Sequence, residues 1–406
     1  MITLKPFAAL RPQTALAAAV AARPYDVLNS LEAVEEAQGN PHSFLHVTKA
    51  EIDLPAGTDL HSQVVYDKAK ENLDAMIRKE VLFQEAKTCY YLYELVMKGR
   101  SQTGLVALSS VADYHNDLIK KHEFTRPQKE KDRIDHMRTV RAQTGNVFLA
   151  YRERKEMDQL VADWKNTHSP IYDFTASDEI EHRIWVVDRR ETVDQITQLF
   201  LENVPATYIA DGHHRAASAA KVAAALPDSD AAKFFLTTLF PADQLAILDY
   251  NRVVKDLNGQ TEDELLSALQ GDFQISKENE PVRPGQLHEF GMYLNKNWYR
   301  LRARSGTWTE DPIGVLDVSL LSDRVLNKQL GVQDQRTDTR IDFVGGIRGL
   351  GELMRRVDSG EMAIAFSLYP VSIHQLFDIA DSGSVMPPKS TWFEPKLRDG
   401  LLTHLI

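Results

Sequence analysis

The 406-residue chain contains a single cysteine, Cys89. One thiol cannot form an internal disulfide, and no cysteine cluster can hold a metal. Such sparing use fits a reducing cytoplasm, which is the expected compartment. The chain also lacks any run of the ~18 apolar residues that a spanning helix needs. It therefore reads as soluble, with no membrane partner. Positive charge is in the minority: 47 Lys and Arg stand against 58 Asp and Glu, a formal charge of −11. Duplex DNA binders usually carry a basic face, so nucleic acid is an unfavoured partner. The common nucleotide-binding frameworks are missing too. There is no Gly-Lys-Ser/Thr phosphate loop, no G-x-G-x-x-G, and no H-R-D or D-F-G pattern.

What is present is an ordinary globular composition, 43% hydrophobic and 26% charged. The length allows two or three domains. The N-terminal "MITLKPFAALRPQTALAAAVAARPYDV" loosely mimics a signal peptide, with Lys5 and Arg11 before an alanine-rich run. Alanine is only weakly apolar, and Pro6 and Pro12 interrupt the approach. A short helix from Gln13 to Ala22, stopped at Pro24, is expected instead. "NSLEAVEEAQGN" is a capped short helix ending at Gly39. Val64, Ala69, Leu73, Met76, Ile77 and Val81 recur at helical spacing. "CYYLYELVMKGRSQTGLVALSSV" reads as a hairpin turning at Lys98-Gly99. "ETVDQITQLFLENV" is a helix, "ATYIA" a buried strand, and "RAASAAKVAAAL" a second helix. "AKFFLTTLF", "AILDYNRVV" and "MAIAFSLYP" are strands, and "FGMYLNKNWYRLRA" is a hairpin turning at Asn295–Asn297. Alternating strands and helices give an α/β (α+β) class with a mixed sheet. Polar, proline-bearing 277–289 is the expected linker. It separates an α/β core, 1–276, from a C-terminal α+β portion, 290–406.

The densest chemistry lies in "YIADGHHRAASAA", residues 208–220. A strand ends at Ala210, and a helix follows Asp211-Gly212-His213-His214-Arg215. The free amides and dipole at a helix start favour an anion. Gly212 permits close approach or a positive φ. Arg215 is suited to fork a phosphate or carboxylate. The alanines that follow let the helix pack tightly. Neighbouring histidines on a helix diverge by about 100°, and the H-x-x-x-H spacing of zinc helices is absent, so zinc is disfavoured. A magnesium ion held by Asp211 through phosphate oxygens fits better. The plain alternative is that Asp211 caps the helix and the histidines satisfy backbone groups.

These residues resemble the D-G-H-H-R signature of the prokaryotic family catalogued as domain of unknown function 1015. "KPFAALRP", "PYDV", "GNPHSFLHVTKAEIDLP", "KKHEFTR", "FPADQLAILDYNRVVKDLNG", "TDTRIDFVGG" and "MPPKSTWFEPKL" look like blocks of the same family. Together they run from residue 5 to about residue 400 and place "KPFAALRP" inside the folded domain. The signature is in turn similar to the turn of free-serine kinases with the ParB/sulfiredoxin fold. The resemblance implies phosphoryl transfer between a nucleotide, ADP or ATP, and serine or phosphoserine, as a serine kinase or in phosphoserine dephosphorylation, in serine biosynthesis, with Mg2+. It carries over only to Asp211, Gly212, His213, His214 and Arg215. It implies phosphate binding at Gly212, His213 and Arg215, with Asp211 and His214 in the chemistry. The ParB likeness leaves a second reading, a nucleotide-dependent binding or regulatory protein. A sulfiredoxin-like activity needs a reactive cysteine at the turn, and Cys89 is far from it in sequence. A homodimer is left open.

Three other stretches offer candidates. In "LIKKHEFTRPQKEKDRIDHMRTVRAQTGN", Glu123 is the expected acid–base carboxylate, with Asp26 of "PYDV" as runner-up. Lys121 and Arg126 are expected to contact phosphate. Arg133, His136, Arg138 and Arg141 are compatible with one basic stripe, offering Arg141 as a further anion contact, or with a solvated helix face. In "VMPPKSTWFEPK", Lys389 and Ser390 suit phosphate or carboxylate contact. Gly345-Gly346 reads as a tight structural turn rather than an anion nest.

Overall fold

The structure, a computed structural model, describes residues 1–406. The chain divides into two units: Met1–Leu245 with Pro395–Ile406, and Ala246–Glu394. This differs from the boundary expected at 277–289. That stretch joins strands Phe273–Glu278 and Glu289–Leu294 within one sheet. Its prolines mark a loop between neighbouring strands, which sequence alone does not distinguish from a domain linker.

The first unit is built on a nine-stranded mixed sheet. Its order runs Ile119–Lys120, Thr207–Asp211, Val147–Tyr151, Phe234–Pro241, Arg100–Ser110, Tyr90–Met97, Glu181–Val187, Tyr172–Thr175. Leu4–Lys5 pairs with the Arg100–Ser110 strand, so the alanine-rich N-terminus follows a segment that is part of the sheet. Two contacts are parallel, Thr207–Asp211 with Ile119–Lys120 and Phe234–Pro241 with Val147–Tyr151. The others are antiparallel, including the hairpin at Lys98-Gly99, where both turn residues have positive φ as a two-residue turn requires.

Helices cover this sheet with periodic apolar faces. Arg190–Asn203 buries Val193, Ile196 and Phe200, and Lys155–Thr167 buries Met157 and Trp164. They meet Leu105, Leu149, Ile209 and Leu239 in one core. A second core joins Val20, Ala33, Phe44, Val65, Leu73 and Val81. Its main helix, Gln63–Arg78, turns Val65, Tyr66, Ala69, Leu73 and Met76 inward, leaving Val64 and Ile77 exposed. The apolar stripe is therefore offset slightly from the one read in sequence. The expected Gln13–Ala22 helix is only a 3₁₀ turn, Thr14–Leu16, and one α-turn, Ala17–Val20. Alanine propensity cannot sustain more, because Ala22 must bridge Asp399 in extended form.

The second unit is a six-stranded, wholly antiparallel sheet. Its order is Phe273–Glu278, Asn297–Ala303, Glu289–Leu294, Ile364–Leu368, Tyr250–Val254, Ile341–Gly345. Helix Gly349–Asp358 supplies Leu353 and Val357 to its core. No helix of the chain is long and apolar enough to cross a membrane.

Gly104 tests how closely the first sheet is packed. A Cβ there would lie 2.6 Å from Thr238 Cγ2 and 2.8 Å from the Phe240 ring. Gly104→Ala is therefore expected to lower stability by about 1–3 kcal/mol. Urea unfolding would show it as a lower midpoint with an unchanged slope.

Candidate active site at the D-G-H-H-R turn

Strand Thr207–Asp211 approaches the site with a bulge: Ile209 faces Leu149, Asp211 faces Phe148, and Ala210 has no partner. Such an extra residue re-aims the side chains beyond it. Gly212 follows in the left-handed region, φ 96°. A Cβ at Gly212 would also sit 3.4 Å from Val147 Cα. Helix His213–Ala225 then begins, with no side-chain cap on its first amides. Asp211 is thus not the helix cap. The uncapped amides and the helix dipole leave an anion-seeking end. Ala216, Ala217, Ala219 and Ala220 bury the helix against the sheet.

The two histidines diverge as their spacing requires. His213 is buried, its ring edge-on to His122 at 4.5 Å. Its Nε2 accepts the His122 backbone N–H at 3.5 Å, and its Nδ1 lies 3.8 Å from Glu123 Oε2. Burial, and then His122, hold His213 well below the ordinary histidine range. It is therefore neutral, with its proton on Nδ1 toward Glu123. His214 is half-buried and its Nε2 accepts the Arg126 backbone N–H at 2.9 Å. Burial lowers its pKa as well, with Lys129 assisting. Glu123 and Arg126 thus meet the turn through one segment. Arg126 does so by its amide, its side chain being exposed. Lys121 contributes to the field at His213, yet its ammonium sits over the Tyr114 ring at 4.4 Å.

Arg215 departs from the expected phosphate fork. Its Nη1 donates to the Asn146 carbonyl, and its Nη2 faces Asp26 at 3.5 Å and Asp211 at 3.9 Å. Its side chain is 10% exposed. Desolvation opposes this buried charge, but Asp26, Asp211, Tyr25 and Asp399 outweigh it and raise the pKa. Arg215 is a structural centre of charge, with its planar fork turned inward.

Two partners come from a segment that sequence reading did not single out residue by residue. Lys396 Nζ donates to Asp211 Oδ2 at 2.9 Å. Burial pushes the Asp211 carboxyl up, but Lys396 and Arg215 together hold it far below the usual range. Asp399 is buried, and its Oδ1 lies 3.0 Å from where a Cβ on Gly145 would stand. Burial raises its pKa to about 7, against the pull of Arg215. Both lie beyond the second unit in sequence. Only the quoted block "MPPKSTWFEPKL" hinted at Lys396.

The site does not fit a protein-held magnesium. Asp211 already faces two cations, and no group of three or more His, Cys, Asp or Glu is arranged for a metal. The basic stripe also dissolves. Arg133 stacks on Tyr25 at 3.9 Å and His136 bonds the Val47 carbonyl at 3.0 Å, both inward, while Arg138 and Arg141 are exposed. Lys389 and Ser390 belong to the second unit. There Lys389 Nζ lies 5.8 Å from the Tyr250 ring, and the Ser390 hydroxyl donates to the Pro387 carbonyl at 2.7 Å. Gly345 ends its strand and Gly346 opens a 3₁₀ turn, Gly346–Arg348, while the Gly346 N–H donates to the Asp249 carbonyl at 2.7 Å.

The chain is thus an α/β protein whose bulged strand and uncapped helix frame one polar turn. Its sequence matches the family described as Protein of unknown function (DUF1015) over residues 4–319. More than three quarters of the chain is covered, and the chain belongs to that family. Three solved structures are similar. A free serine kinase in complex with AMP is 13% identical, covering 70% of this chain and 89% of that one, with a TM-score of 0.35. A conserved hypothetical protein from Pyrococcus furiosus is 14% identical, covering 70% and 91%, with a TM-score of 0.35. SbnI with a C-terminal truncation, from Staphylococcus aureus, is 11% identical, covering 72% and 85%, with a TM-score of 0.36. No curated protein matches the sequence.

Histidines buried as neutral groups make stability depend on pH. His122 is lowered by burial to about 4. The unfolded chain, near 6.5, takes the proton first, so acid favours unfolding between pH 6.5 and about 4. Asp399 acts in the opposite sense: raised to about 7, it takes a proton first in the folded chain. The test is therefore a difference. His122→Asn is expected to flatten the loss of stability by about 1 kcal/mol per pH unit across that window. Parallel unfolding curves at pH 4.5, 5.5 and 6.5 would check it; equal slopes in both proteins would refute it.

Proposed function

We propose that the chain transfers a phosphoryl group between a nucleotide, ADP or ATP, and serine or phosphoserine. The observation that carries this reading is the uncapped start of helix His213–Ala225, with Glu123 and Asp26 beside it. Phosphoryl transfer asks for little covalent work from a protein. It needs an anion cradle, fixed positive charge, and a carboxylate to take the hydroxyl proton. The turn supplies amides for phosphate oxygens, and Lys396 and Arg215 supply charge around Asp211. The motif resemblance to free-serine kinases supports serine as the acceptor.

In the forward direction the serine hydroxyl oxygen attacks the terminal phosphorus of ATP. Its proton passes to Glu123, and the bond to the ADP oxygen breaks. In reverse, phosphoserine gives its phosphoryl group to ADP and Glu123 returns the proton. His213, neutral, holds its Nδ1 toward that carboxylate at 3.8 Å. His214, with Nε2 accepting the Arg126 amide, keeps Nδ1–H as a donor. Arg215 acts behind the turn, holding Asp26 and Asp211 in place.

Purified protein would be given phosphoserine with ADP, and separately L-serine with ATP, in magnesium buffer followed by phosphorus NMR. ATP should form from phosphoserine, or phosphoserine from ATP. Glu123→Gln should slow turnover by about 10²–10⁴-fold with little change in KM. Asp211→Asn should also lose turnover. Free phosphate without ATP would make the reaction a hydrolysis. Silence in both mixtures from a folded protein would sink serine as the substrate.

A further inference from the structure

The first unit holds a second polar depression, a cleft of about 400 Å3, whose lining does not include the D-G-H-H-R residues. That is within the usual range for small-molecule sites. Its charged groups are Arg23, Glu36, Asp178 and Arg398. Ala18, Ala21 and Ala176 add small side chains to the lining.

One wall is built from the interior outward. The Arg398 side chain is 5% exposed and donates through Nη2 to Asp178 Oδ2. Its backbone N–H donates to the Tyr93 hydroxyl at 3.3 Å. A guanidinium so deeply placed is expensive to bury and is held by its partner. Elsewhere in the lining, Arg23 Nε donates to Glu36 Oε2 at 2.5 Å, and the Arg23 backbone N–H donates to Glu36 Oε1 at 3.3 Å. Glu36 is thereby satisfied by Arg23 alone. The terminal Arg23 nitrogens make no hydrogen bond within the protein, and the side chain is 43% exposed. They present a planar pair of donors of the kind that grips a carboxylate. Asp178 keeps one oxygen beyond its Arg398 contact and is 38% exposed.

The lining carries two positive and two negative groups. A simple anion entering here meets two carboxylates, and a simple cation meets two guanidinium groups. A ligand carrying both signs a few ångström apart meets neither penalty. We propose that this cleft binds a small zwitterionic amino acid, its carboxylate on Arg23 and its ammonium on Asp178. The site stands apart from the phosphoryl-transfer reading and does not depend on it. It is connected to that turn all the same. Arg398 meets the cleft, while Asp399 lies against Gly145 and faces Arg215, and Lys396 reaches Asp211.

The test uses the full chain and L-alanine, which has no hydroxyl to accept a phosphoryl group, in NMR titrations. Acetate and methylamine serve as half-ligands. L-Alanine should bind, and each half-ligand should bind roughly tenfold more weakly or not at all. Ser177 also lines the cleft, and Arg23→Met and Ser177→Trp, both at accessible positions, should each weaken L-alanine roughly tenfold or more. Asp211→Asn should leave it unchanged. Three results would overturn the proposal. One is no L-alanine binding by a folded protein. Another is acetate binding as well as L-alanine, which makes the cleft a plain anion site. The third is binding that survives Arg23→Met and Ser177→Trp but vanishes with Asp211→Asn, which moves the amino acid to the D-G-H-H-R turn.

Discussion

A guanidinium buried beneath the D-G-H-H-R turn constrains this half of the molecule. Taking such a charge out of water costs several kcal/mol unless it is paired and hydrogen-bonded. Arg215 is paired by convergence: Asp26 comes from the N-terminal segment, Asp211 from the strand end, and Asn146 and Asp399 from two further stretches. Each had to be brought close by its own backbone arrangement. The bulge at Ala210 aims Asp211, the bridge between Ala22 and Asp399 carries in the buried carboxyl, and Gly145 leaves room for it. The region is therefore one electrostatic object, and removing a single member leaves the others uncompensated.

That arrangement divides the labour of the motif. Outward, the turn presents uncapped amides and the half-buried His214. Inward, it commits His213 and Arg215 to the core. His213 links the two directions, since one ring nitrogen receives the His122 amide and the other faces Glu123. A neutral ring is needed for this, because a protonated one could not accept the amide. Burial keeps it neutral more strongly than the nearby carboxylates can charge it.

The sequence made the local elements legible because their signals are local. The Lys98-Gly99 turn, the Asn29 cap and the apolar spacing of Arg190–Asn203 are each written within a dozen residues. The strand–turn–helix at Asp211 was legible for the same reason. The inward aim of Arg215 was not, because residue type alone does not say whether a helix-start arginine faces ligand or core. Lys396 and Asp399 were beyond reach, since their partners Asp211 and Arg215 are remote in the chain, 185 residues away in the case of Lys396. The polar 277–289 stretch misled because proline and glutamate mark an exposed loop inside a sheet as readily as a linker. The true junctions, at Leu245 and Pro395, carry no compositional shift.

The chain leaves the first unit at Leu245 and returns to it at Pro395. Proteins emerge from the ribosome in order, and domains tend to fold as they appear. The D-G-H-H-R turn therefore emerges long before the residues that neutralise it. Until the whole second unit has been synthesised, Asp211 waits without Lys396 and Arg215 without Asp399. The first unit can complete its charge pairing only once Pro395–Ile406 has arrived, so a nascent chain broken off within the second unit would carry the motif with Arg215 paired by Asp26 and Asp211 alone and Asp211 lacking Lys396.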